Sequence, residues 1–113
     1  VQITRFENAQ AYEAKDHFGM QGLRLHPLSD EEQSGRPFNC GVSHFLPGGG
    51  AHMRASTSVR LYYLLSGEIT ITTDQTVDII KQNDICVIQP GEMRSIYNHT
   101  NHVATMLVVI AGV

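Results

Sequence analysis

Arginine carries most of the positive charge in this chain: of the eight Lys and Arg among 113 residues, only Lys15 and Lys81 are lysine. Three of the arginines, Arg54, Arg60 and Arg94, fall in stretches that read as β-strands. A guanidinium stays protonated, its pKa being above ~12, and has no lone pair to offer a metal. It grips a carboxylate or phosphate through two parallel hydrogen bonds instead. Alternate residues of a regular strand share a face. That rule groups His52 with Arg54 and Ser56, Arg60 with Tyr62 and Leu64, and Arg94 with Ile96 and Asn98. If these faces converge, they hold an anion and repel a cation. His52 and Tyr62 are then the candidates to move a proton beside it. His44, in a Val-Ser-His-Phe segment, can lie on either face and is a further ligand-binding candidate.

Other chemistry-bearing residues read more plainly. His17, His26, His99 and His102 lie in or near polar segments and are expected to be solvated. Met53 and Met93 are expected to pack. Gly48 to Gly50 are followed by no Gly-Lys-Ser/Thr, so they read as a turn between strands and not as a phosphate loop. Cys40 and Cys86 are far apart and fit no C-x-x-C motif, so two buried reduced thiols in a cytoplasmic protein are expected.

The elements that must position these residues are mostly strands. Residues 6–18 (FENAQAYEAKDHF) are the best helical stretch, with Asn8 as cap and Gly19 as stop. Gly22 to Leu28 reads as a short strand and Ser29 to Pro37 as a polar loop. From Phe38 onward, candidate strands cover 38–46, 51–56, 60–66, 68–73, 76–81, 84–88, 93–98 and 102–110. They are rich in Val, Ile, Thr and Tyr and are bounded by Gly, Pro, Asn and Asp turns. Many short strands at regular spacing predict an all-β sandwich or closed barrel. The last strand is apolar on both faces, which calls for a second sheet or a partner subunit.

Length and charge narrow the classes. The chain is one domain by size, with 1–37 an extension and 38–110 the barrel core. A net charge of −3 and no run of Lys or Arg argue against nucleic acid. No apolar stretch approaches the ~18 residues that span a membrane, and the first residues carry no basic-then-apolar leader pattern.

Two segments, PGGGAHMRASTSVRLYYLLSGEITI (47–71) and NDICVIQPGEMRSIYN (83–98), resemble the two ordered motifs of the cupin family. The resemblance implies a cupin-type antiparallel β-barrel, the double-stranded β-helix or jelly roll, with inward faces around a small-molecule site; the short N-terminal helix read over 6–18 would stand in front of it. Cupins usually hold a divalent metal with two His and a Glu of the first motif and a His of the second. Laid without gaps, those positions fall on Arg54, Ser56, Arg60 and Arg94, with Gly48, Gly67, Gly91 and Asn98 matching. A rival alignment puts His52 and Arg54 on the paired-His positions. Either way, the usual metal site is rewritten.

Three functions follow from this. One is a metal-independent pocket for a small anionic metabolite (a sugar acid, keto acid or phosphate). As an enzyme it would be an isomerase, epimerase or lyase, with Arg54, Ser56, Arg60, Arg94, Asn98 and His44 binding and His52 or Tyr62 moving the proton. Another is a non-catalytic ligand-binding or sensing barrel. The third is a metalloenzyme with an atypical set, such as His44 and His52 with a carboxylate. No cofactor is expected under the first two. The resemblance and the doubly apolar last strand both point to a homodimer.

Overall fold

The computed structural model describes residues 1–26 and 37–112. A 3-10 turn, Phe6–Asn8, precedes nine strands: β1 Gln10–Tyr12, β2 His17–His26, β3 Phe38–Arg54, β4 Val59–Ser66, β5 Glu68–Thr73, β6 Val77–Lys81, β7 Ile85–Ile88, β8 Arg94–Tyr97 and β9 Ala104–Ala111. All pair antiparallel, in the order β6-β5-β8-β3-β9-β4-β7, with β2 also on β3 and β1 on β2. The sheet curls into a nearly closed barrel. The first eight residues of the expected loop over 29–37 lie outside the described residues, as do Pro27 and Leu28; Pro37 is a bend.

Two expectations need correction. The helix over 6–18 is not there. Only the Phe6–Asn8 turn forms, Asn8 is its last residue and not its cap, and Gln10, Ala11 and Tyr12 pair with Arg24, Leu23 and Gly22. Helix propensity is a weak preference that sheet pairing readily overrides. Here the pairing also seats the Tyr12 ring on Gly22, where any Cβ would lie 2.6 Å from Tyr12 Cε1. The sheet therefore takes in Gln10–Tyr12 and His17–His26, within the stretch that the sequence sets apart as an extension.

The strands expected at 38–46 and 51–56 are one bent strand. Its first half pairs with β9 from Phe38 to Phe45, and its second half pairs with β8 from Gly50 to Arg54. One strand thus joins the two layers. The bend falls at Pro47 and Gly48, the latter at φ 80°, a left-handed conformation that glycine takes at little cost. Gly50 permits the second crossing, since a Cβ there would lie 2.0 Å from the Ile96 carbonyl oxygen.

Inward side chains alternate as strands require. Phe45, Tyr62, Leu64, Ile69, Ile71, Ile96, Met106 and Val108 form the core. On the outer face, Leu61 pairs with Val87 and Val109, and Tyr63 with Ile85 and Leu107, so one apolar stripe crosses β7, β4 and β9. That stripe takes in Leu107 and Val109, the outward side of the last strand whose two apolar faces, with the resemblance, give the expectation of a homodimer.

Asn98 closes the barrel end. It is fully buried; its Nδ2 donates to the carbonyls of Phe45 (3.0 Å) and His102 (2.7 Å). Its Oδ1 accepts from the backbone N (2.9 Å) and Oγ1 (2.8 Å) of Thr100. Asn98→Ala would strand several of these groups, at about 1–3 kcal/mol for each one left buried and unpaired. Urea unfolding should therefore show a loss of about 3 kcal/mol; a loss within ~0.5 kcal/mol would show that the network is replaceable.

Candidate functional site

A register shift in β3 decides which side chains reach the interior. Ala51 pairs with Ile96, but Arg94 pairs with Arg54 and not with Met53, so one extra residue is accommodated between. Such a bulge swaps the faces of everything beyond it. Ala51 and Arg54 consequently face the barrel. His52 and Met53 between them are exposed, and the His52 ring packs on Phe18 at 4.7 Å between centroids. The face-sharing expected of His52, Arg54 and Ser56 assumed a regular strand and does not hold.

Arg54, Arg60, Tyr62 and Arg94 line one cavity of about 200 Å³, over a floor that includes Phe45, Ile96, Met106 and Val108. Arg94 is only 4% exposed. Its Nε donates to Tyr62 Oη at 3.3 Å and its Nη1 to the Arg54 carbonyl at 2.6 Å. Arg60 is half-buried and donates from Nε to Ser56 Oγ at 3.2 Å. Ser56 in turn donates to the Ser58 carbonyl at 3.0 Å, and its own carbonyl accepts Gly91 N at 2.9 Å. The loop before β4 is thereby tied to the turn before β8, which sets Arg60 beside Arg94.

Arg54 differs from the other two. Its Nη1 meets Asp16 Oδ2 at 3.0 Å at the exposed rim, where an ion pair contributes little. No carboxylate pairs with Arg60 or Arg94 among the described residues. Burial lowers the Arg60 pKa from its ordinary value; Tyr62 opposes this, and Arg94 and Arg54 add smaller lowering influences.

His17 is the site residue that sequence reasoning missed. Assigned to a helix and expected to be solvated, it instead opens β2, lines the arginine cavity and stacks on Phe45 at 6.3 Å. Its Nδ1 lies 2.7 Å from the Lys15 carbonyl oxygen. A carbonyl only accepts, so Nδ1 carries the hydrogen and Nε2 of the neutral ring keeps its lone pair. Burial pushes its pKa below 6.5, and the charges of Arg60, Arg94 and Arg54 push the same way, against the Lys15 hydrogen bond. The one available signal was the apolar alternation around Phe18 and Met20, masked by helix-forming residues before it.

The remaining candidates lie elsewhere. His44 sits on the outward row of β3, its Nδ1 3.1 Å from Thr105 Oγ1. Asn98 has its hydrogen-bonding groups engaged by the barrel end described above. His26 stacks on Phe38, and His99 bonds Thr70 and packs on Tyr97. Cys40 and Cys86 are free and half-buried.

The usual cupin metal does not fit this donor set. Arg54, Arg60 and Arg94 offer only cationic donors, and Ser56 is engaged with Arg60. Among the described residues no group of three or more His, Cys, Asp or Glu could hold a metal ion, so His44 and His52 are not assembled with a carboxylate.

The fold and cavity define a small single-barrel cupin. Solved cupin-type structures superpose over nearly the whole chain. The polyketide cyclase RemF from Streptomyces resistomycificus gives a TM-score of 0.82 at 15% identity, covering 98% of this chain and 79% of that one. An RmlC-like cupin from Shewanella frigidimarina gives 0.79 at 12% identity, covering 100% and 92%. A predicted oxalate decarboxylase from Thermotoga maritima gives 0.77 at 23% identity, covering 97% and 98%. Those identities speak for the fold alone. No protein-family profile matches the chain. A curated protein of Mycobacterium tuberculosis, Beta-D-galactosidase Rv1717, is 31% identical over 113 residues, covering 98% of this chain and 94% of its own length. The chain belongs to the cupin family and shares with that mycobacterial protein a relationship running almost end to end.

The depressed pKa of His17 has a consequence for stability. The unfolded chain takes up the proton near pH 6.5, before the folded chain does, so folding is favoured above that pH and weakened as pH falls through the folded value. An NMR titration should place the His17 midpoint below 6.5, and His17→Gln should remove part of the acid sensitivity; a midpoint at or above 6.5 would contradict the buried setting.

Proposed function

We propose that the arginine cavity binds the carboxylate of a sugar acid without a metal, and that the protein is an isomerase, epimerase or lyase acting beside that carboxylate. The observation that carries this is the pairing of two inward arginines, one almost fully buried, with no carboxylate of the described chain to balance them. An unpaired charge costs several kcal/mol to bury. A carboxylate ligand supplies the missing partner through charge-assisted hydrogen bonds. Carbohydrate as the ligand class is suggested by the name of the mycobacterial relative.

The chemistry open to these groups is proton transfer. His17, in place of His52, is the base: Nε2 takes the proton from the carbon next to the carboxylate, and the C–H electron pair spreads onto the carboxylate. Arg60 and Arg94 stabilise the resulting enolate-like charge. Return of a proton on the other face, from Tyr62 Oη, gives an epimer; departure of a leaving group from the next carbon gives an alkene. Hydrolysis of a neutral galactoside by the usual route requires two carboxyl groups about 5–10 Å apart. Among the described residues the cavity wall contains none, which favours the acid reading. Binding without turnover would leave a sensing barrel, the second reading.

Calorimetric titration compares D-galacturonate with D-galactose, which differ at the acid group. Galacturonate should bind and galactose should not. Arg60→Ala should weaken galacturonate at least about thirtyfold, roughly 2 kcal/mol, as should Arg94→Lys, because lysine cannot reproduce the two-pronged grip. Equal binding of acid and neutral sugar, or binding indifferent to both substitutions, would overturn the reading.

A further inference from the structure

A second cavity, of about 340 Å³, adjoins the arginine cavity. The two share Tyr12, Ala14, Lys15, Val108 and Ile110 in their walls, so they are lobes of one cleft. Small-molecule sites commonly measure about 300–1,000 Å³. At about 200 Å³ the inner lobe falls short of that range, whereas the outer lobe is within it.

The outer lobe contains a polar group that the described residues leave unsatisfied. Asn39 lines it, is 8% exposed, and has no hydrogen-bond partner at Nδ2 among the described residues. Buried amides are nearly always paired. The terminal torsion of Asn is broad and roughly two-fold, so either end of this amide can be presented to the cleft. Gly41, the next residue on the same inward row, lets the β2 backbone and the Tyr12 hydroxyl close in beside it. A Cβ there would lie 2.6 Å from the Leu23 carbonyl oxygen and 3.5 Å from Tyr12 Oη.

Glu13 and Lys15 stand in the same wall. A carboxylate, an ammonium and an amide side by side offer acceptors and donors together. Sugar hydroxyls, which donate once and accept twice, match such a set, and the wall's Lys15 and Arg24 balance Glu13 where the second unit is itself acidic. We propose that the outer lobe is a subsite for a second sugar unit, linked to the acid held in the inner lobe, and that Asn39 positions it. This deepens the acid-site reading and rests on it.

The test measures binding of galacturonate and digalacturonate to the full chain and to Asn39→Leu, with Asn39→Ala as a second variant. Digalacturonate should bind at least about tenfold more tightly than galacturonate. In the variants the ratio should collapse toward one, while the melting temperature of Asn39→Leu holds or rises because a buried unpaired amide is gone. Equal affinities with galacturonate bound would overturn the subsite and leave the acid site standing. A ratio that survives both substitutions would overturn the role of Asn39. Binding of neither sugar would overturn the acid reading and this inference with it.

Discussion

Arg94 is a buried charge whose hydrogen bonds run to neutral oxygens, and the rest of the site is organised around that fact. Tyr62 Oη and the Arg54 carbonyl hold the guanidinium in place, but neither neutralises it. Arg60, on β4, adds a second positive charge to the same cavity. Together with burial they keep the His17 ring neutral, its lone pair free for a proton. A cation is disfavoured by the same field that makes an anion welcome. The interior that commonly serves a metal in this fold has thus been turned to the opposite sign by side chains alone.

That arrangement depends on backbone geometry in a single strand. The bend at Pro47 and Gly48 lets β3 serve both layers, and the shift after Ala51 turns Arg54 inward while His52 stays outward. Without the shift, Arg54 would share the outward face of His52 and leave the cavity rim. The Asp16 carboxylate caps Arg54 there, so the three arginines divide into a paired rim residue and two inner ones. Ser56, tying Arg60 to the β8 turn, positions the pair without touching the cavity itself.

The barrel was legible because alternation and turn residues repeat over most of the chain, and because two motifs occur in order. Arg60, Tyr62 and Leu64, and likewise Arg94 and Ile96, sit on the faces that a period of two assigns them. The misses have local causes. His52 was misplaced because a bulge leaves no mark in a short strand of mixed residues. His17 was missed because Ala, Glu and Lys before it favour a helix in isolation, whereas pairing with β3 decides the matter in the fold. Asn98 matches its motif position, yet its bonds to Phe45, His102 and Thr100 make it a clamp on the barrel end. Likeness of fold could not have supplied the function in any case, since one barrel hosts many chemistries.

The ligand proposed above joins the carbohydrate in the mycobacterial relative's name to the charge of the cavity. A carbohydrate name and a set of inward arginines are both accommodated by a sugar bearing a carboxylate. The central claim is therefore geometric: the anion and the two inner arginines must touch. A crystal structure of the protein grown without chelator and soaked with galacturonate tests this most directly. The account predicts carboxylate oxygens about 2.7–3.0 Å from the guanidinium nitrogens of Arg60 and Arg94, with His17 beside the adjacent carbon. A metal ion at the cavity centre, or a sugar turned so that only its hydroxyls face the arginines, would contradict it.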